Sequence, residues 1–337
     1  MSIKTIDIRQ ARIRLPVQEG QTILEAALQH GVCYPHGCRS GRCGSCKTRL
    51  IEGEVDMLQH TRFALTDEER AGGFILACRA VPRTDVAVAW LGDDDEAAAA
   101  PAQAFEATIV ALDDLTHDIK RLRLRPDGAA PDFAAGQYAD IRFGQLPARS
   151  YSMANRPGEP ELEFHIRRVP GGVVSSHLHT AVRAGDRVAL QAPRGASHLR
   201  ACHRGPMLCI AGGSGLAPIK SIVETALAHG MQQAIHVYFG ARAQQDLYLL
   251  DHFEALVRRH RNLVFIPVLS EARSDTHRVG FVTRAAADDL PDLRGWKAYV
   301  AGPPTMVEAA MQMACSRGLG AQDMHADVFY TLETSAA

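Results

Sequence analysis

The chain has almost no excess of charge: 37 Lys and Arg stand against 38 Asp and Glu, for a formal net charge of −1. Nucleic-acid binders usually show a strongly basic face, so this balance argues against a nucleic-acid partner. Long hydrophobic runs are missing too. The apolar stretch Met207–Gly213 is far shorter than the roughly 18 residues a membrane span requires. Residues 1–15 alternate charged and apolar side chains and lack the apolar core of a signal peptide. Together these absences predict a cytoplasmic protein with no membrane partner, in a compartment where structural disulfides are rare. No internal repeat is visible. What is present is 337 residues, enough for two or three domains, and eight cysteines that need an explanation other than disulfides.

Three composition regimes follow one another. Residues 2–15 read as two short alternating strands, with Ile3, Ile6 and Ile8, then Ile13 and Leu15, on one face. Gln21 to His30 reads as a helix closed by Gly31, followed by a Gly/Cys-rich loop and a strand over Lys47–Ile51. The run Asp93-Asp94-Asp95-Glu96, four alanines and Pro101 reads as a solvated linker. Short β-like runs then dominate: Ala107–Leu112, Ile119–Leu124, Ala139–Phe143, Leu162–Arg167 and Arg187–Gln191, the pattern of a small antiparallel barrel or sandwich. From Met207 onward, apolar strands (Met207–Ala211, Ala234–Phe239, Leu263–Val268, Ala298–Ala301) alternate with amphipathic stretches, the pattern of a parallel α/β sheet.

Four of the cysteines form a constellation. Cys38, Cys43 and Cys46 lie on one loop in a C-x4-C-x2-C spacing, and Cys78 follows after a long gap, which is the spacing of plant-type [2Fe–2S] ligation. Three thiolates on a tight loop converge on two irons while the fourth returns from elsewhere. Gly37, Gly41 and Gly44 allow backbone N–H groups to approach the cluster sulfurs. A zinc site would favour paired C-x2-C units, and only Cys43 with Cys46 has that spacing. Cys33, Cys202, Cys209 and Cys315 fall outside the pattern and read as small buried or incidental residues. The first 90 or so residues resemble a plant-type ferredoxin of the β-grasp fold. That resemblance implies that Cys38 and Cys43 hold the exposed iron, and Cys46 and Cys78 the inner one.

Arg149-Ser150-Tyr151-Ser152 suits a flavin: an arginine to neutralise phosphate, a tyrosine to stack on the ring, a hydroxyl for its reactive N5 edge. After the strand Leu162–Arg167, Gly172, Val173, Val174 and Ser175 open a helix whose N–H groups suit a pyrophosphate. In this order the motifs resemble the flavin domain of the ferredoxin–NADP reductase superfamily. The resemblance assigns Arg149, Ser150, Tyr151, Ser152 and residues 172–175 to the flavin, and extends to His165 and Arg167 on the intervening strand.

Gly212, Gly213, Ser214 and Gly215 follow the strand from Met207, with Pro218 at an early helical position. This is not the G-x-G-x-x-G fingerprint of a standard dinucleotide fold. It matches the G-G-[ST]-G-x-[AT]-P run of the same superfamily, and Arg242 after Phe239-Gly240 and Gly302, Pro303 and Met306 fall where that family has them. Many relatives carry a cysteine where this chain has Ala301, so no catalytic thiol is assigned. Phe329, in Ala326-Asp327-Val328-Phe329, resembles an aromatic that packs near the flavin, and a core residue of a terminal strand is the alternative. Asp246 is an acid in the region that would meet a 2′-phosphate, which favours NADH.

The expected architecture is therefore a multidomain α+β and α/β chain: a ferredoxin domain at 1–92, a linker at 93–103, an FAD-binding β-barrel at 104–203 and an NAD-binding α/β domain at 204–337. A ferredoxin placed first resembles the reductases of aromatic-ring oxygenases of the benzoate and terephthalate type, and implies FAD rather than FMN. The implied activity is oxidation of NADH by hydride transfer to FAD, then single-electron delivery through the [2Fe–2S] cluster to a Rieske-type oxygenase component. Alternatives are the same chain of cofactors serving a di-iron monooxygenase or a deoxysugar dehydratase, or a redox-sensing flavin/iron–sulfur protein.

Overall fold

Thr22 begins the first helix with a capping box: its hydroxyl accepts from Glu25 N–H, and the Glu25 carboxylate accepts from Thr22 N–H. Ile23, Leu24, Ala26 and Ala27 then face the core on the helix Ile23–Gln29. The computed structural model describes residues 4–32, 34–36, 39–42, 44–62, 64–91, 102–271 and 274–330. Cys33, Gly37, Cys38, Cys43, Ile3 and the acidic run at 93–101 lie outside them. The chain divides into two compact units, 1–101 and 102–337.

In the first unit the helix packs on a five-stranded mixed sheet. Its order is Ile13–Val17, Lys4–Ile8, Val86–Trp90, Lys47–Glu52, Phe74–Leu76, with Lys4–Ile8 parallel to Val86–Trp90. This is the β-grasp arrangement. Ile6, Ile8 and Leu15 enter the core as expected, whereas Ile13 is exposed because it sits beside the turn that joins the first two strands. Trp90 meets Tyr34 edge to face at 5.0 Å between ring centroids.

The second unit holds two sheets. Six antiparallel strands run in the order Arg149–Ser152, Tyr138–Phe143, Arg187–Arg194, Gln103–Asp114, Ile119–Pro126, Leu162–Arg167. A bridge between Met153 and Phe164 joins the two outer strands, so the sheet closes on itself as a barrel. The first strand starts at Gln103, inside the stretch expected to be linker, because Gln103 already pairs with Ala192. The other sheet is wholly parallel, in the order Arg278–Val279, Leu263–Leu269, Ile235–Ala241, Met207–Gly212, Lys297–Gly302, Met324–Val328. Its central strand Met207–Gly212 is buried along its length, as a strand covered on both faces must be. Helices Leu216–Ala228, Leu250–Arg259 and Pro304–Ser316 form where the sequence is amphipathic over residues 219–228, 249–259 and 305–317, their ends shifted by up to three residues. Trp296 stands just before the strand Lys297–Gly302, its ring tilted against His236 at 5.4 Å. Among the described residues no helix is long and apolar enough to cross a membrane.

Candidate functional site

Of the four candidate cluster ligands, Cys46 and Cys78 are described. Cys46 precedes the strand Lys47–Glu52 and Cys78 follows Phe74–Leu76; these strands pair, and Ala77 N–H donates to the Cys46 carbonyl at 3.0 Å. The pairing brings the two buried sulfurs to 3.2 Å, well beyond the roughly 2.05 Å of an S–S bond. Thr48 donates to the Cys46 carbonyl at 3.0 Å, and its hydroxyl lies 2.8 Å from the Tyr34 hydroxyl. Burial raises the Tyr34 pKa, partly opposed by the Thr48 hydrogen bond, so the phenol stays neutral beside the thiols. Gly41 and Gly44 adopt φ of +72° and +73°. A Cβ on Gly41 would lie 2.7 Å from Arg79 Cγ and 2.9 Å from His60 Cβ. The loop therefore requires glycine for both conformation and space, which suits a backbone drawn close around a cluster.

In the barrel, Arg149 is exposed and Tyr151 half-buried, with Tyr151 packed against the barrel core. Burial pushes the Tyr151 phenol up to about 12, against a lowering influence from Arg149. Ser150 donates to Asp140 at 2.6 Å. Ser152 donates to Asp327 at 2.7 Å, tying the barrel to the last parallel strand. Enclosure raises the Asp327 carboxyl to about 6 despite that hydrogen bond. Phe329 follows closely, its N–H donating to the Gly302 carbonyl at 2.9 Å.

Gly172 caps the helix Val173–Thr180, and Val173 is 66% exposed, which leaves the helix start open to an anion. A Cβ on Gly172 would lie 2.7 Å from the Ser175 hydroxyl, which itself accepts from Val169 N–H. Val174 and Ser175 are buried; Ser175 shapes the turn rather than facing outward.

His165 does not face a ligand. Its side chain is fully enclosed, with Nε2 2.9 Å from Glu163 and Nδ1 3.2 Å from the Tyr248 hydroxyl. Burial lowers its pKa, which the Glu163 contact offsets in part. Burial alone would raise Glu163, yet the His165 hydrogen bond and the Lys220 charge hold it at about 2. A neutral His165 donating to an ionised Glu163, with Lys220 3.5 Å away as the cation, satisfies both directions. Lys220 also reaches Glu224 at 3.4 Å and the Ala154 carbonyl at 3.1 Å, and Glu224 meets His252. This half-hidden ionic chain joins the barrel to the helix Leu216–Ala228, and Tyr248 carries it to the Gly213 carbonyl at 3.3 Å.

That carbonyl belongs to the glycine-rich loop at residues 212–215. A cavity of about 510 Å³ opens at the carboxyl ends of the parallel strands, where ligands of such sheets bind. Gly212, Gly213, Arg167, Arg242, Pro303 and Met306 line it, all of them singled out from sequence. Gly213 (φ +56°) leaves room for the Arg167 guanidinium: a Cβ there would lie 2.6 Å from Nη1. A Cβ on Gly215 would lie 2.1 Å from the Ala301 carbonyl, and one on Gly302 2.9 Å from Met306 Cε. Ser214 is half-buried within the loop, and Pro218 lies in the first turn of the following helix, where an N–H has no intrahelical partner. The cavity thus offers the loop's backbone and two guanidiniums, a donor set that fits a pyrophosphate.

Asp246 is not on this cavity. It is 2% exposed and accepts from Ala243 N–H at 3.0 Å, so it cannot meet a ribose. Ser270, Phe281 and Thr283 do line the cavity and carry no motif that would have marked them, and Thr305, inside the run of residues 302–306, lines it too. Phe281 is 73% exposed at its rim, an arrangement only the fold could reveal.

Residues 6–83 match the 2Fe-2S iron-sulfur cluster binding domain, residues 106–199 the oxidoreductase FAD-binding domain, and residues 209–312 the oxidoreductase NAD-binding domain. The chain is 39% identical to the ferredoxin–NAD(P)(+) reductase component of the naphthalene 1,2-dioxygenase system of Pseudomonas putida, over 94% of this chain and 95% of that protein. It is 36% identical to the reductase component of phenol 2-monooxygenase from a Pseudomonas species, over 96% of this chain and 93% of the other. Among solved structures it resembles the Amycolatopsis cytochrome P450 reductase, with a TM-score of 0.77 and 37% identity over 97% of this chain and 98% of that one.

Proposed function

The chain belongs to the family of ferredoxin–NAD(P)(+) reductase components of oxygenase systems, and from that premise we propose that it carries electrons from NADH to a Rieske-type aromatic-ring oxygenase. It is an oxidoreductase with an iron–sulfur, an FAD and an NAD domain in one chain. The observation that carries the partner assignment is the end-to-end match, at 39% identity, to the reductase component of a ring dioxygenase system. A monooxygenase partner is the second reading, favoured by the phenol 2-monooxygenase and cytochrome P450 likenesses.

In this reading the ferredoxin domain is 1–92, the linker ends before the barrel strand that starts at Gln103, the barrel runs to 203 and the NAD domain is 204–337. Cys38, Cys43, Cys46 and Cys78 are the cluster ligands in this reading, and the cytoplasm is its compartment. Bound FAD supplies the conversion of one two-electron donation into two single-electron steps, which a [2Fe–2S] cluster needs. The chain's own residues do the holding. Tyr151 offers its ring face and Ser152 its hydroxyl to the flavin, while Asp327 fixes the Ser152 rotamer through a 2.7 Å hydrogen bond. Val173 and Val174 N–H groups at the helix start receive the flavin pyrophosphate. Gly212 and Gly213 let the nicotinamide nucleotide approach the backbone, Gly215 makes room for the Ala301 carbonyl behind them, and Pro303 and Met306 line the cavity.

Anaerobic titration with NADH, followed by visible absorption and electron paramagnetic resonance, tests the electron path. Flavin bleaching together with a rhombic cluster signal is expected; bleaching without that signal would reduce the protein to a flavin reductase. Reconstitution with purified ring dioxygenase and monooxygenase components then separates the two partner readings by which one turns over.

A further inference from the structure

Two arginines face the nucleotide cavity, Arg167 from the barrel strand Leu162–Arg167 and Arg242 from just beyond the sheet strand Ile235–Ala241. Both converge on one carboxylate outside the cavity. Asp118, in the turn between the strands Gln103–Asp114 and Ile119–Pro126, places Oδ2 3.1 Å from Arg167 Nε and 3.9 Å from Arg242 Nη2. Its turn is locally fixed. Thr116 donates to Asp118 Oδ1 at 2.9 Å, and Arg168 N–H donates to the Asp118 carbonyl at 2.7 Å.

The direction of the Arg167 contact matters. Asp118 meets the guanidinium from its Nε side, whereas the Nη1 end is the part nearest Gly213, 2.6 Å from where a Cβ on that glycine would stand. Asp118 therefore holds the fork from behind and leaves its two terminal nitrogens toward the cavity. Arg242 is met differently, at its terminal Nη2, by two carboxylates at ion-pair distance: Asp118, and the buried Asp246, whose Oδ1 is 3.7 Å away and has no hydrogen-bond partner. His117 Nδ1 stands 3.8 Å from that same oxygen. His117, Asp118 and Asp246 are spaced closely enough to hold a metal ion, but the two guanidiniums already supply positive charge there, and a divalent ion would be repelled by them. Without Asp118 the guanidiniums would repel each other and lose their common anchor.

We propose that Asp118 is a positioning residue of the nucleotide site, presenting Arg167 and Arg242 as a paired clamp for the dinucleotide's pyrophosphate. This rests on the reading of the cavity as the NADH site and adds to it the device that spaces the clamp. The anchoring carboxylate belongs to a barrel turn, so the clamp forms only when barrel and parallel sheet are docked.

Calorimetric titration of the flavin- and cluster-loaded chain tests this, with ADP-ribose, which carries the pyrophosphate, and adenosine, which lacks it and is measured by competition. Asp118→Asn keeps the acceptor for Thr116 and removes the charge. It is expected to weaken ADP-ribose binding roughly tenfold, the scale of one misplaced charge-assisted hydrogen bond, and to leave adenosine unchanged. In an Arg167→Ala background the same change should add almost nothing, because its route of action is gone. Asp118→Glu should recover part of the loss. Equal ADP-ribose binding by wild type and Asp118→Asn would overturn the proposal, as would full additivity with Arg167→Ala or a parallel loss of adenosine binding. Failure of the wild type itself to bind ADP-ribose would instead take down the nucleotide reading of the cavity, and the clamp with it.

Discussion

Around Cys46 and Cys78 the chain supplies side chains, whereas around Gly212–Gly215 it takes them away. The two sulfurs are buried and brought together by strand pairing. The nucleotide loop works through missing atoms: Gly213 makes room for a guanidinium and Gly215 for a carbonyl. A third strategy is the ionic chain of Glu163, Lys220 and Glu224, which fixes the barrel against the parallel sheet. A substitution should therefore fail differently in each place: by loss of a cofactor, by loss of fit, or by loss of stability.

The largest effect should come from Cys78→Ser. Cluster-dependent reduction of cytochrome c is expected to drop to background while NADH–ferricyanide activity through the flavin persists; equal loss of both would break the distinction between the regions. Lys220→Met comes next. It leaves two carboxylates, each with side-chain exposure of 16% or less, without their shared cation, and should cost about 3–5 kcal/mol in urea denaturation. A variant of unchanged midpoint would mean the chain is not part of the docking.

Gly215→Ala should be milder, about 1–3 kcal/mol as for other overpacked sites, because the Ala301 backbone has to shift. A raised KM for NADH should accompany it. The smallest effect concerns pH. Asp327 sits at about 6 in the folded chain, above the roughly 3.9 of an unfolded aspartate, so its contribution to stability is present below that lower value and is lost as pH rises through about 6. The melting temperature of Asp327→Asn relative to wild type should therefore climb between pH 4 and pH 7. A flat difference would show that Asp327 is not held neutral by its surroundings.

Most of the architecture was legible because its signals are local. Cysteine spacing, the G-G-S-G run and the change from β-rich to alternating segments each depend on neighbours in sequence. The strand Leu162–Arg167 has the same bounds in sequence reading and structure. Side-chain direction was less legible. His165 and Arg167 share one strand and one face, yet His165 turns into the ionic chain and Arg167 reaches the cavity rim. Asp246 carried the right charge in the right segment, but its capping of Ala243 N–H draws it inside. Asp118 gave no signal at all, since its importance comes from two arginines that are 49 and 124 positions away in the chain and meet it only in the fold.

The two tryptophans are divided between the two units, Trp90 against Tyr34 in the first and Trp296 against His236 in the second. Each unit thus carries its own intrinsic fluorophore. Replacing one at a time with phenylalanine would give each unit a separate optical melting curve. The ferredoxin portion and the flavin–nucleotide portion could then be followed independently in one intact chain, with no label attached.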